Sequence, residues 1–209
     1  MTTPERPPDG LPAPGTVLDG KYRIEGVLGI GGMGVVLEAT HLALEEKVAI
    51  KVLLGDLTED AEAVSRFTRE AWAAAKIKSE NVARVYDVGA LPSGAPFLVM
   101  EYLDGCDLEQ LQRERGPLGV QETVDYLLQA CRALAEAHEA GIIHRDLKPG
   151  NLFRVTQPDG MPLIKVVDFG ISKVDAAVGM TKTGVLMGSP VYMAPEQLMS
   201  SKNLSLIHI

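Results

Sequence analysis

Three groups of residues in this chain have types and spacings suited to handling phosphate. Gly29-Ile30-Gly31-Gly32-Met33-Gly34-Val35-Val36 fits the pattern GxGxxGxV, and glycines at those places let backbone amides approach phosphate oxygens closely. Taken alone, the pattern fits a dinucleotide fingerprint or an ordinary turn. A dinucleotide fold needs a helix directly after the glycines, whereas Val35–Thr40 reads as a strand, so the segment is expected to be a hairpin lid over phosphates. Val48-Ala49-Ile50-Lys51 sets a lysine inside an apolar strand pattern, where an unpaired ammonium would be costly to bury. Read blandly, Lys51 is a surface residue of an edge strand. Glu70, 19 residues on and standing among apolar helix spacings, supplies a partner. The pair would hold Lys51 against the α- and β-phosphates of a nucleotide whose base lies between Val36 and Ala49.

The third group is the most specific. His144-Arg145-Asp146-Leu147-Lys148-Pro149-Gly150-Asn151 is followed by Asp168-Phe169-Gly170, with Asp168 22 residues after Asp146, and then by Ala194-Pro195-Glu196, with Glu196 28 residues after Asp168. One such triplet is more often loop than site, but five motifs in a fixed order are not a chance alignment.

These residues must be held by a folded body, and the composition supplies one. Of 209 residues 46% are hydrophobic, enough to bury a sizeable core. With 20 Lys and Arg against 28 Asp and Glu the net charge is −8, so no basic excess exists to hold nucleic acid or an anionic lipid surface. Apolar runs such as Phe97–Met100 fall far short of the roughly 20 residues that cross a bilayer, and the N-terminus lacks a signal peptide's apolar stretch. A cytoplasmic location is expected. Cys106 and Cys131 are too few for a disulfide framework or a CxxC metal site. His41 and His138 lie outside every motif and read as structural.

Residues 1–15, with five prolines, are expected to be a flexible leader. Short β-branched runs at Tyr22–Leu28, Val35–Thr40, Val48–Leu53, Val82–Val88 and Phe97–Tyr102 predict five strands of one antiparallel sheet. A helix is predicted over Glu59–Lys78, its inward face including Phe67, Glu70, Ala74 and Ile77. A second, long and buried helix is predicted over Val120–Ala140, from the spacing of Val124, Leu127, Leu128, Cys131, Leu134, Ala135 and His138, with Gly141 as its C-cap. Two short apolar runs, Leu152–Val155 and Leu163–Val167, follow, joined by a Pro-Asp-Gly turn.

With these motifs in place, the chain resembles a eukaryotic-type Ser/Thr protein kinase, most closely the bacterial branch, whose lid often reads GGMG. The resemblance covers Thr16 to about Asn203. It implies an α+β, two-lobed protein-kinase fold: a small lobe of five antiparallel strands plus one helix over residues 16–102, and a mainly helical, incomplete large lobe over residues 103–203. ATP and Mg²⁺ would lie in the cleft. On that resemblance Asp146 accepts or orients the proton of the attacking hydroxyl, Lys51 and Glu70 act as the phosphate-holding pair, and Asn151 and Asp168 ligate two Mg²⁺ ions that bridge the phosphates. Hard oxygen ligands suit Mg²⁺, and a carboxylate can place a nucleophile in line without covalent chemistry. Lys148, two residues after Asp146, and Ser189 mark serine and threonine as the acceptors. The nucleotide site would take Leu28, Gly29, Gly31, Gly32, Gly34, Val36, Ala49 and Lys51, a Met100 gatekeeper, the Glu101 carbonyl and Leu103 amide on the base edge, and Phe153 as its floor, where the family more often has Leu or Met.

Arg145 would pair with a phosphorylated activation loop in which Thr181 and Thr183 are the candidate sites. Protein substrates are the expected partners, and self-association for autophosphorylation is left open. A pseudokinase would typically lack an equivalent of Lys51, Asp146, Asn151 or Asp168, and a nucleotide-dependent redox domain would need a strand-to-helix fingerprint unit that is absent here. The family continues through further large-lobe helices beyond the APE motif, so the helix Val120–Ala140 and Phe169 are expected to face water, and the product to be poorly soluble and inactive. Leu204–Ile209 fits no segment of the family. CTG TCT CTT ATA CAC ATC would encode it, a string resembling a transposon-type sequencing adapter end, so residues 204–209 are expected to be a non-native tail.

Overall fold

The computed structural model describes residues 11–31, 34–53, 58, 61–169 and 190–194; the side chains of residues 61–63, 66, 69, 70, 73 and 190 are not among the described groups. The expectations for Gly32, Thr181, Thr183, Ser189, Glu196 and residues 204–209, and for the Glu70 side chain, lie outside them. The chain divides into two compact units. One runs to Ala75 and takes in Ala83–Leu103; the other holds Lys76–Val82 and the chain from Asp104.

The first unit is a six-stranded sheet built from β1 (Val17–Leu18), β2 (Tyr22–Gly31), β3 (Gly34–His41), β4 (Glu46–Leu53), β5 (Val85–Ala90) and β6 (Pro96–Glu101), in the order β1-β2-β3-β4-β6-β5. Every pairing is antiparallel. Four of the five expected strands are present, the one expected over Val82–Val88 is present in part as β5, and the two-residue β1 joins them. Alternation sets the faces: Val35, Leu37 and Ala39 of β3 and Val48, Ile50 and Val52 of β4 enter one core with Ile24, Phe97 and Val99. The opposite face of β4 carries Ala49 and Lys51, both buried as well. Helix α1 (Ala61–Ala74) packs on β5 and β6, burying Phe67 and Ala71.

Two boundaries differ from the sequence reading. Helix α1 ends at Ala74, and Ile77 packs in the core of the second unit rather than on the helix face. The run Val82–Val88 is not one strand. Val82 makes a parallel bridge with Val166 in the second unit, and β5 begins only at Val85. A mostly apolar run broken only by single charged residues, Arg84 and Asp87, gives no sign that its two halves pair with different sheets.

The second unit contains β7 (Gly105–Asp107), α2 (Leu108–Arg115), α3 (Val120–Glu139), a 3₁₀ turn at Pro149–Asn151, β8 (Leu152–Thr156), β9 (Pro162–Val166) and a 3₁₀ turn at Pro190–Tyr192. Strands β7, β8 and β9 form a small antiparallel sheet. Neither β7 nor α2 was expected. Asp107 caps α2 by accepting from the Gln110 amide at 2.8 Å, and Gly116 follows its end.

Helix α3 has the expected span but a different buried face. Its core residues are Tyr126, Ala130, Ala133 and Ala137, while Val124, Leu127, Leu128 and Cys131 are exposed. The alanines at turn spacing let the helix lie close to β9, and the larger side chains stand on the other side. Gly141, at φ 75°, closes the helix: its amide donates to the His138 carbonyl at 2.9 Å and that of Ile142 to Ala137 at 2.8 Å, a Schellman arrangement that a left-handed residue permits. The expectation that Phe169 faces water is corrected. It is 3% exposed, with its ring 4.8 Å from that of His144.

Candidate active site

The sheet of the first unit gathers residues that are far apart in sequence. Gly29 of β2 stands opposite Val36 of β3, Val36 opposite Lys51 of β4, and Lys51 opposite Leu98 of β6, so one rung crosses four strands. On the next rung of the same face Ala49 stands opposite Met100. Val36, Ala49, Lys51 and Met100 therefore share a side of the sheet, as residues two apart on a strand must. Leu28 is exposed on β2. At the end of β6, the Glu101 amide donates to the Arg84 carbonyl at 2.8 Å and its Oε2 accepts from the Arg84 amide at 3.1 Å. Leu103 follows, half-buried.

The glycines of the lid are not equivalent. A Cβ on Gly34 would overlap the Val52 carbonyl oxygen, so packing alone requires glycine there. At Gly29 a Cβ would meet nothing within 4 Å, and at Gly31 it would only approach the Gly34 carbonyl at 3.9 Å. Backbone at those two positions is open to whatever lies against it.

In the second unit the segment 144–151 folds back on itself. The Asn151 Nδ2 donates to the Asp146 backbone carbonyl at 2.7 Å and to its Oδ2 at 3.3 Å. Lys148 Nζ lies 3.4 Å from the same oxygen. The Asn151 amide also donates to the Lys148 carbonyl at 2.9 Å, and the Asn151 carbonyl accepts from Val167 at 3.1 Å. Asp146, Lys148 and Asn151 are thus one hydrogen-bonded group. Val167, the residue before Asp168, is tied to it. Phe153 sits one strand position beyond, on β8, half-buried.

His144 organises this group from below. It is 2% exposed; its Nε2 donates to the Val167 carbonyl at 2.9 Å and its Nδ1 accepts from the Asp146 amide at 3.3 Å. Burial holds its pKa below the usual 6.5, against the opposing pull of the Val167 carbonyl and the Asp168 and Asp146 charges. The ring is neutral and acts as a two-sided brace. Arg145 and Asp168 both take left-handed backbone, at φ 63° and 59°, a conformation that costs a non-glycine residue and that clusters at functional sites.

Of the expected site residues the structure therefore brings Gly29, Val36, Ala49, Lys51 and Met100 to one sheet face, and Asp146, Lys148, Asn151 and the approach to Asp168 to one loop system. The brace at His144 and a pair of side-chain amides, buried Asn81 and half-buried Gln129, were not singled out by the sequence. His144 lay inside a recognised motif, but Asn81 and Gln129 are 48 residues apart and belong to no pattern.

Residues 22–207 match the model of the protein kinase domain. The chain belongs to the protein kinase family. It is 44% identical over 183 residues to a probable serine/threonine-protein kinase of Clostridium acetobutylicum, covering 88% of this chain and 27% of that protein. It is 41% identical over 204 residues to the serine/threonine-protein kinase pkn3 of Myxococcus xanthus, covering 94% and 37%, and 39% identical over 190 residues to PknA of Mycobacterium tuberculosis, covering 89% and 43%. The crystal structure of the Mycobacterium tuberculosis PknI kinase domain superposes with a TM-score of 0.69 at 32% identity, covering 78% of this chain and 65% of that one. The chain thus spans well under half the length of these curated relatives and about two thirds of the solved domain. Among the described residues no helix is long and apolar enough to cross a membrane.

Proposed function

We propose that this kinase domain transfers the γ-phosphoryl group of ATP to serine and threonine hydroxyls of proteins. The observation that carries the proposal is the group formed by Asp146, Lys148 and Asn151, with Lys148 3.4 Å from the Asp146 carboxylate. Asp146, its carboxylate positioned by Asn151 and Lys148, would accept or orient the proton of the acceptor hydroxyl. Lys148 would place a positive charge where the γ-phosphate and that hydroxyl meet, the arrangement on which serine and threonine, rather than tyrosine, are proposed as acceptors. The naming of the Clostridium, Myxococcus and Mycobacterium relatives supports this.

On the first unit's sheet, Lys51 would hold the α- and β-phosphates, with Glu70 as its proposed partner. The open backbone at Gly29 and Gly31 leaves room for phosphate oxygens, while Gly34 keeps β3 against β4. Leu28, Val36, Ala49 and Met100 would offer an apolar surface for the base, with the Glu101 carbonyl and Leu103 amide at its edge.

The donor set fits Mg²⁺. Asn151 spends its NH₂ group on Asp146, which leaves its carbonyl oxygen, with the Asp168 carboxylate, as hard oxygen ligands. Bound there, Mg²⁺ would neutralise charge on the transferring phosphate. Asn151 and Asp168 would orient it. Arg145, next to Asp146, is proposed to hold a phosphate on Thr181 or Thr183, and Ser189 to pair with the catalytic group. Proteins are the proposed partners, self-association would serve autophosphorylation, and the proposed location is cytoplasmic.

Two measurements on the full-length protein test this. Transfer of label from γ-labelled ATP to a basic protein should stop with excess EDTA and return with added Mg²⁺; transfer that is indifferent to chelation contradicts the proposed roles of Asn151 and Asp168. Phosphopeptide mapping should find Thr181 or Thr183 modified in the wild type and unmodified in Asp146→Asn. Active protein with neither threonine modified sinks the regulatory half.

A further inference from the structure

Strand β9 leads directly to Asp168, and one of its edges is paired with β8. Its other edge is held by two side-chain amides and a short loop. Gln129 of α3 accepts the Ile164 amide on Oε1 at 2.8 Å and donates from Nε2 to the Pro162 carbonyl at 3.3 Å. Asn81, 2% exposed, donates from Nδ2 to the Ile164 carbonyl at 2.9 Å and to Gln129 Oε1 at 3.3 Å. The Asn81 carbonyl accepts the Val166 amide at 2.7 Å. Pro162, Ile164 and Val166 are the alternate residues that face this edge, and the two amides meet them where a further strand would otherwise pair.

Such an arrangement is expensive unless complete, since a buried amide left without partners costs more than an apolar side chain in its place. What it gives is register. A strand slipped by one residue turns every side chain to the opposite face, and here the slip would be inherited by Asp168, two residues past Val166. Paired edges fix the register by backbone alone only as well as the partner strand is fixed. The Gln129 fork matches one carbonyl and one amide two residues apart on the same edge, a pair that a one-residue slip would turn away from it.

We propose that Gln129 is a positioning residue for Asp168, acting with Asn81 to lock β9 in the register from which that carboxylate reaches a metal bound with ATP. The inference rests on the Mg²⁺·ATP reading above. Calorimetric titration of ATP into the full-length protein, with Mg²⁺ and again with EDTA, tests it without any turnover. In the wild type Mg²⁺ should tighten ATP binding; no gain at all overturns the Mg²⁺·ATP reading itself.

Given a wild-type gain, Gln129→Met, which keeps the length of the side chain and removes its amide, should reduce that gain by roughly tenfold, as loss of an outer partner of a metal ligand does, and leave ATP affinity in EDTA unchanged. In an Asp168→Asn background the same substitution should have no further effect on the gain. Equal weakening with and without Mg²⁺ would show a merely structural role, and an undiminished gain would show none; either overturns the inference. Should Gln129→Met fail to melt cooperatively, the same titrations on Asn81→Ser, which shortens the shared amide and leaves Gln129 on the strand, decide it by the same outcomes.

Discussion

Lys51 shows how a single residue type can be read through from sequence to structure. It is buried on the rung between Val36 and Leu98, where a methionine of similar length would be accommodated. Lys51→Met should therefore leave the melting temperature close to wild type while transfer falls by roughly a hundredfold or more, the loss typical when a preorganised charge is removed from a reacting group. Wild-type turnover in this variant would show that the phosphates are held elsewhere.

His144 makes a second prediction, with a definite sign. Burial lowers its pKa in the folded chain, so the unfolded chain binds the proton more readily. Its contribution to stability is fully present above the unfolded value of 6.5 and is lost as pH falls through that value towards the lower folded one. Melting temperature should drop between about pH 7.5 and about pH 5.5, and His144→Gln should flatten that part of the profile. A wild-type melting point that rises on acidification would contradict the neutral brace.

Among the elements, the strands of the first sheet were legible because β-branched runs alternate with Gly and polar breaks, and Lys51 and Val36, the residues proposed to contact phosphate and base, fell inside them. Helix α3 shows the limit. Its span was legible, its face was not, because Leu127, Leu128 and Val124 make as good a helical stripe as Tyr126, Ala130, Ala133 and Ala137. Small residues win where a strand must come close. Strand β7 is only Gly105-Cys106-Asp107, with no apolar alternation to announce it; the Gly105 Cβ position would overlap the Arg154 carbonyl, a packing demand visible only once the strands are paired.

Tyr126 is the polar anchor of the α3 face. Its hydroxyl donates to Glu122 Oε1 at 2.8 Å and accepts from Arg154 Nε at 2.8 Å, joining α3 to β8. Glu122 retains Arg115 as a second partner, but Arg154 loses an acceptor in a half-buried position if the hydroxyl is removed. Tyr126→Phe should destabilise the protein by about 1–3 kcal/mol in denaturant titrations. A change within error would mean that the helix is held by its alanine face alone.

For the molecule as a whole, the ordered motifs made the family legible in the sequence, and 186 of 209 residues fall within the matching domain. The grouping of Asp146, Lys148 and Asn151 was legible because they are close in sequence and fold onto one another. What was not legible is long-range: the split of 82–88 between two sheets, the burial of Phe169 against His144, and the amides of Asn81 and Gln129 on β9. Each depends on partners that no spacing rule connects.

The proposal of Ser/Thr phosphoryl transfer is most directly tested by incubating the full-length protein with γ-labelled ATP, Mg²⁺ and a basic protein, hydrolysing the product in acid, and separating the phosphoamino acids. Label should appear in phosphoserine or phosphothreonine and be lost in Asp146→Asn. Label in phosphotyrosine alone, or label undiminished in Asp146→Asn, would contradict it.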